Sequence, residues 1–376
     1  MHVCDEKELS EAIVSAEGPL RIIGGGTRGF ADTVSGTELS TLGLNGVRVY
    51  KPGALTLVVG AGTPVSEVEA LLQAQGQRLA FEPMDHRGLT GQSGPPTIGG
   101  MAAANVSGPR RIQVGACRDF LLGVRFVDGA GRIIKNGGRV MKNVTGYDLV
   151  KLMAGSFGTL GVLSELSLKV LPAAETAATL RIEGLDDSRA IEALAAALAA
   201  PFDVSGAAHT EGATLLRLEG FAQSVSARAK KLATHLSRFG PAEILDHTAT
   251  DMIWKRLRDV VPFHDRPGNV WRISVKPSDG PRIGAALRDM GEAQIIYDWG
   301  GGLVWALLPD DIDARAALQG IRGHARLERA NLENRKTLGV FAPESAVIAQ
   351  ISAGLRARFD PRGILNPGLM QTAKRG

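Results

Sequence analysis

The sequence predicts an α+β protein built from two unlike halves, and three observations predict it. Glycine crowds the first half: positions 1–172 hold 28 of the 47 glycines, a density expected where backbone turns sharply or lies against a ligand. Short apolar runs in that half alternate with loops of small residues, the sign of strands joined by irregular connections. Beyond residue 173 the rhythm becomes strand–helix–strand–helix–strand and then repeats, which reads as helices laid over an antiparallel sheet.

The elements follow in order. Leu9, Ala12, Ile13 and Ala16 give a helix over 7–16 one apolar face. A buried strand over 20–23 runs straight into Gly24-Gly25-Gly26-Thr27, and 47–50 and 55–61 read as further strands. Thr63 is placed as N-cap and Pro64 as the first residue of a helix faced by Val65, Val68, Leu71 and Leu72 and stopped at Gly76. The tract 83–109, rich in Gly and Pro, is too long for an ordinary connector and too apolar to be disordered. Strands over 121–128 and 131–135 meet at Asp128-Gly129, and 163–171 alternates as a half-buried strand. In the second half, strands over 179–183, 214–219 and 243–246 flank helices over 188–200 and 225–239. Strands over 270–275, 294–299 and 303–308 then come with helices over 282–290 and 311–321. A helix over 347–359, with Ile348, Ile351 and Leu355 in register, ends at Asp360-Pro361. The domains expected are 1–172, 173–335 and a C-terminal helical segment, 336–376, returning to the first.

Composition removes several function classes. The 376 residues carry 43 Lys and Arg against 39 Asp and Glu, a net charge of +4 without a basic block, so nucleic acid is disfavoured. No apolar run approaches the ~18 residues of a membrane-spanning helix, and the N-terminus shows no secretory signal. The two cysteines, Cys4 and Cys117, form no CxxC, so an iron–sulfur cluster or zinc knuckle within this chain is excluded.

Three small-residue loops are the candidate chemistry. In Ile23-Gly24-Gly25-Gly26-Thr27-Arg28, converging backbone N–H groups could cradle a phosphate; taken alone, the loop is equally a tight turn. It matches G-x-G-x-x-G literally, yet 30–36 is a poor helix, so the dinucleotide-binding Rossmann fingerprint fails. The segment 96–108, PTIGGMAAANVSG, lacks bulk and suits a flat or polyanionic ligand. The third loop spaces Gly155, Gly158 and Gly161 three apart before a strand. Each alone could be backbone packing. Trp254 and Trp299 read as core, and His264 as a loop histidine.

The succession GGGT, TIGGMAAAN, KNVTGYDL, GSFGTLGVLSELSLKVLP and FDPRGILNPG resembles the FAD-linked oxidases of the vanillyl-alcohol-oxidase (PCMH) type. Within them it is similar to the E-type FAD-binding subunits of glycolate oxidase. The resemblance implies a PCMH-type FAD-binding domain, then a ferredoxin-like α+β cap and a short C-terminal helical return. It implies FAD with its pyrophosphate on Gly24, Gly25, Gly26 and Thr27, the flavin lined by Thr97, Gly99, Gly100, Ala103 and Asn105, and the adenine end held by Gly158, Gly161 and Val162. Arg28, Pro83 and Asn366 are counted with them. Many relatives attach the flavin to a histidine of the first loop; here Thr27 stands in that loop and no histidine lies between His2 and His86, so noncovalent FAD is expected. Related dehydrogenases carry metal-ligating histidines in a GDGNLH-like segment, which reads DWGGGLVW here (298–305), so no metal is expected.

Arg110, Lys142 and Tyr147 are the polar candidates around the flavin, where a cation stabilises the reduced ring. Arg272 is the candidate for a substrate carboxylate. The function expected is oxidation of glycolate, a small 2-hydroxy acid, to glyoxylate, with the alternative that the chain is an FAD-holding structural or relay subunit. Expected partners are a second FAD-linked subunit and an iron–sulfur subunit. The expected location is the cytoplasm, or the inner-membrane periphery through the complex.

Overall fold

The computed structural model describes residues 1–29, 33–139 and 146–370. The chain divides into two compact units. One comprises Met1–Ser107, Ala116–Ala173 and Gly339–Gly376; the other comprises Gly108–Gly115 and Ala174–Leu338.

In the first unit, helix α1 (Glu6–Val14) is capped by the Asp5 carboxylate, which accepts from the Glu8 N–H. Its buried Leu9 and Ile13 pack with Leu20, Leu39, Leu44, Val127, Val162, Ile364 and Leu365. Strand β1 (Leu20–Ile23) pairs in parallel with β2 (Thr37–Ser40). On its other side the C-terminal tail adds a parallel bridge at Leu20 and Leu365. The strands β3 (Val47–Lys51), β4 (Thr56–Gly60), β6 (Leu121–Val127), β7 (Ile133–Gly137) and β8 (Val162–Lys169) form a five-stranded antiparallel sheet in the order β3-β4-β8-β6-β7. Two short strands, β5 (Gln77–Arg78) and β9 (Leu171–Pro172), pair separately.

Helix α2 (Val65–Gln73) buries Val65, Val68 and Leu72, but its cap corrects the expectation. Pro64 occupies the N-cap position without a side-chain bond, because the Thr63 hydroxyl accepts instead from the Gly46 N–H at 2.8 Å. The glycine- and proline-rich tract holds two short helices, α3 (Arg87–Thr90) and α4 (Ile98–Ala103). Helix α6 (Leu149–Met153) precedes the third glycine loop. Helix α12 (Ala346–Phe359) forms where expected, yet its Val347, Ile348 and Ile351 are exposed.

The second unit is one antiparallel eight-stranded sheet. Its strands are β10 (Thr176–Glu183), β11 (Val204–Thr210), β12 (Ala213–Gly220), β13 (Ala242–Leu245), β14 (Asn269–Val275), β15 (Gln294–Asp298), β16 (Leu303–Leu308) and β17 (Gly323–Arg329). The order β13-β10-β12-β11-β15-β16-β14-β17 is palindromic. The first four strands follow the split βαββαβ order of a ferredoxin-like unit, and the last four repeat it in mirror order. Strand pairing joins the halves where His209 and Thr210 of β11 pair with Tyr297 and Ile296 of β15. Helices α7 (Asp187–Ala199), α8 (Ala222–His235) and α10 (Gly280–Met290) supply the core with Ile191, Leu194, Leu232, Ile283 and Leu287, packed against Leu180, Leu216, Trp271, Val304 and Leu327. One-turn α5 (Arg111–Val114), α9 (His247–Arg258) and α11 (Leu332–Leu338) complete the unit. Strands β11 and β17 and helix α9 were not expected. The helix expected over 311–321 is only a 3-10 turn, Ala314–Leu318.

A charged cluster ties the two half-sheets together. Asp187, at the start of α7, accepts from the Tyr297 hydroxyl at 2.5 Å and from Arg288 of α10 at 2.6 Å, and lies 3.8 Å from His209 Nε2. Tyr297 reaches it because Gly284 has no Cβ; one built there would stand 1.8 Å from the phenol oxygen. Burial lowers the His209 pKa, with Asp187 pulling the other way.

Candidate functional site

The three glycine loops, spread over more than a hundred residues of sequence, come together in the first unit. Gly25 lies directly against the chain at Pro95: a Cβ on it would stand 1.7 Å from the Pro95 carbonyl oxygen, so only glycine fits. A Cβ on its neighbour Gly24 would stand 2.4 Å from Thr97 Oγ1. That hydroxyl caps α4 by accepting from the Gly100 N–H at 3.2 Å. Arg28 donates to the Gly100 carbonyl at 2.7 Å, and the Thr90 hydroxyl donates to the Thr27 carbonyl at 2.7 Å. Gly99 is buried, its N–H donating to the Ala61 carbonyl. Pro83 is buried on the same unit.

The third loop is fastened to the second and to β1. Phe157 N–H donates to the Ala103 carbonyl at 2.9 Å, and Gly155 N–H to the Ala102 carbonyl. Asn105, at a φ of 50°, accepts from the Arg118 N–H through its side chain. Asn366 is the junction: its Oδ1 accepts from Ile22 N–H at 2.7 Å, its Nδ2 donates to the Phe157 carbonyl at 2.9 Å, and its own N–H donates to the Leu20 carbonyl. Gly158 lies against the same amide. Gly161 packs on the Phe126 ring, and Val162 is core.

This arrangement fits an anionic dinucleotide. The N–H groups of Gly24, Gly25, Gly26 and Thr27 have no acceptor among the described residues. Four such donors in succession, Thr27 being buried, call for a partner rich in acceptors. A covalent link through Cys117 is opposed by its surroundings: the thiol is fully buried, and burial pushes its pKa up to about 12 against the smaller pull of Arg28.

The polar candidates separate. Arg110 is buried in the second unit, paired with Glu219 and donating to Gln113 Oε1 at 3.2 Å. Its charge is therefore paired with a carboxylate of the same unit. Tyr147 is 87% exposed, and Lys142 lies outside the described residues. His264 Nε2 donates to the Asp259 carbonyl, 2.8 Å away, in a loop. Trp254 is core, its Nε1 donating to Thr179 Oγ1.

Trp299 is different, and here the core reading fails. It is half-buried at a φ of 53°, rare for a bulky residue. The Asp298 side chain accepts from its N–H at 2.7 Å, and its Nε1 donates to the Gly108 carbonyl at 3.1 Å. The guanidiniums of Arg111 and Arg272 lie over this indole at 4.6 and 5.0 Å, and Arg272 is 6.0 Å from the Trp305 ring. Burial, then the nearby Arg326, pushes the Arg272 pKa down to about 9. Spacing could not have joined Arg111 to Trp299, since they lie far apart in the chain. Among the described residues no three His, Cys, Asp or Glu side chains gather as a metal set.

A family model described as an FAD binding domain matches residues 2–137. The solved structure of an alkyldihydroxyacetonephosphate synthase superposes with a TM-score of 0.70 over 98% of this chain and 75% of its own, at 16% identity, and so supports the fold alone. The first part of the chain is therefore an FAD-binding domain, and the chain is an FAD-binding protein. Glycolate oxidase subunit GlcE of Escherichia coli K12 is 37% identical over 367 residues, 97% of this chain and 95% of the relative. This chain belongs to that family of glycolate oxidase subunits. Glycolate oxidase subunit GlcD of Bacillus subtilis is 33% identical over 40% of this chain and 32% of its own length. The mitochondrial D-2-hydroxyglutarate dehydrogenase of Bos taurus is 25% identical over 98% of this chain and 73% of its own. No helix among the described residues is long and apolar enough to cross a membrane.

Proposed function

We propose that this chain is the FAD-binding subunit of a cytoplasmic glycolate oxidase complex, converting glycolate to glyoxylate and delivering the electrons to a separate iron–sulfur subunit beside a second FAD-linked subunit. The observation that carries the reading is the run of four acceptor-free N–H groups from Gly24 to Thr27. These would hold the pyrophosphate, Thr97 to Asn105 would line the flavin, and Gly158 to Val162 would hold the adenine end. When bound, FAD would supply a two-electron acceptor for the hydride from the α-carbon of a 2-hydroxy acid, with the hydroxyl proton passing to water. Arg28 ties the first loop to α4 and so fixes the donors before any ligand arrives. Arg272 is the group assigned to a substrate carboxylate.

Purification of the full chain tests this. A yellow protein that releases its flavin into acid supports noncovalent FAD; a colourless protein, or flavin retained on the denatured chain, rejects it.

One observation favours a second reading, a subunit that holds FAD without oxidising substrate itself. In the segment 298–305 the one carboxylate, Asp298, is occupied in capping the Trp299 N–H. Anaerobic addition of glycolate separates the two: bleaching of the flavin supports oxidation by this chain, and an unchanged spectrum supports the relay.

A further inference from the structure

We infer that the second unit carries its own binding site for one small monocarboxylate, anchored by Arg272 and Arg111 over the Trp299 indole. The inference deepens the 2-hydroxy-acid reading above and rests on it for the identity of the physiological ligand.

Three observations support the site. Arg272 projects from the middle of β14, opposite Trp305 of β16 and Arg326 of β17, and its guanidinium has no hydrogen-bond acceptor or ion-pair partner among the described residues. A half-buried guanidinium resting on indoles has lost much of its water, and the cation–π contact replaces only part of it. An incoming carboxylate would supply the missing acceptors in the planar geometry that guanidinium favours.

The second observation is charge. Arg111, Arg272 and Arg326 face Asp298 and Glu328, and Glu328 is occupied by Arg326. Cations outnumber carboxylates among these groups around Arg272, which favours a small anion. His324, the remaining titratable group facing Arg272, has its pKa lowered by burial and by Arg272, Arg326 and Arg111, so it adds little positive charge at neutral pH.

The third is strain. Trp299 is held in the left-handed region by Asp298 and Gly108. Backbone strain persists where surroundings over-determine it, as they do around binding sites. It places one indole under both guanidiniums.

The test is isothermal titration of the full-length flavoprotein with 2-hydroxyisobutyrate, which has no α-hydrogen and cannot be oxidised. Saturable binding is expected, with succinate and sulfate each at least tenfold weaker. Arg272→Gln should weaken 2-hydroxyisobutyrate binding by roughly 10- to 100-fold, Arg272→Lys by less, and Arg111→Gln several-fold. Arg181→Gln, whose partner is the exposed Glu183, should leave it unchanged. Wild-type binding by a folded Arg272→Gln overturns the site; if that variant does not fold, wild-type binding by Arg111→Gln does so. Equal binding of sulfate also overturns it, by showing a site for any anion. Because the probe cannot react, failure of glycolate to bleach the flavin would remove the oxidase reading without touching this result.

Discussion

The two units build their candidate sites from opposite materials. In the first, the groups offered to a ligand are backbone N–H donors, and side chains such as Thr97, Arg28 and Asn366 serve to fasten one loop to the next. In the second, rigid strands and a single strained turn present side chains, Arg111, Arg272 and Trp299, and the backbone is the support. The difference teaches where each is vulnerable. A backbone cradle tolerates many changes of side chain but fails when a Cβ enters it. A side-chain site keeps its fold when the side chain is trimmed, and loses its ligand.

The sharpest break of this contrast is Gly25→Val. Its branched side chain collides with the Pro95 backbone, and a cost above about 4 kcal/mol is expected, together with loss of flavin. Denaturant unfolding and the ratio of flavin to protein absorbance check it; a stable yellow variant would refute the cradle. Next is Arg110→Gln, which takes the Arg110 guanidinium from the buried Glu219 carboxylate, with Arg217 3.4 Å away. About 3 kcal/mol of stability should be lost while flavin content per folded molecule stays constant, because the pair belongs to the second unit. A flavin deficit there would restore Arg110 to the cofactor.

Thr97→Val removes the cap on α4 and should cost about 1 kcal/mol, with weaker flavin retention on dilution read by fluorescence. The smallest effect is with pH. His209 has a lowered folded pKa, so the unfolded chain binds more protons than the native one as pH falls below ~6.5. Its contribution is fully present above that value and is lost as pH falls through the folded pKa, so stability falls from pH 7.5 to 5.5. Urea midpoints at the two pH values, compared with those of His209→Asn, isolate it: the variant should show the shallower dependence.

Much of the first unit was legible because its signals are local. Leu20–Ile23 ending in three glycines, Asp128-Gly129 between two apolar runs, and the small residues of 97–105 all declare themselves within a few positions. What stayed hidden has physical reasons. Strand β11 is buried at every position, so the alternation that reveals a half-exposed strand is absent. Its Gly206, which resembles a turn residue in sequence, is the floor on which Trp254 lies, 2.6 Å from where a Cβ would stand. Helix α9 buries only Thr250, Trp254 and Leu257, too narrow a stripe to stand out in a polar segment. The Thr63 hydroxyl was assigned to a helix end it does not serve because the competing Gly46 N–H arrives from a distant turn. The meeting of Arg111 with Trp299 is likewise tertiary.

The palindromic sheet leaves the second unit with a mechanical seam. Only two residue pairs of the sheet cross it; the rest of the joint is side-chain packing, with Ile191 against Gly301 and Leu198 against Gly300, and the Asp187 cluster, while each half keeps a full complement of strands on its own side. Backbone pairing across the seam is sparse, so the two halves are held in register by the side chains of one shared core.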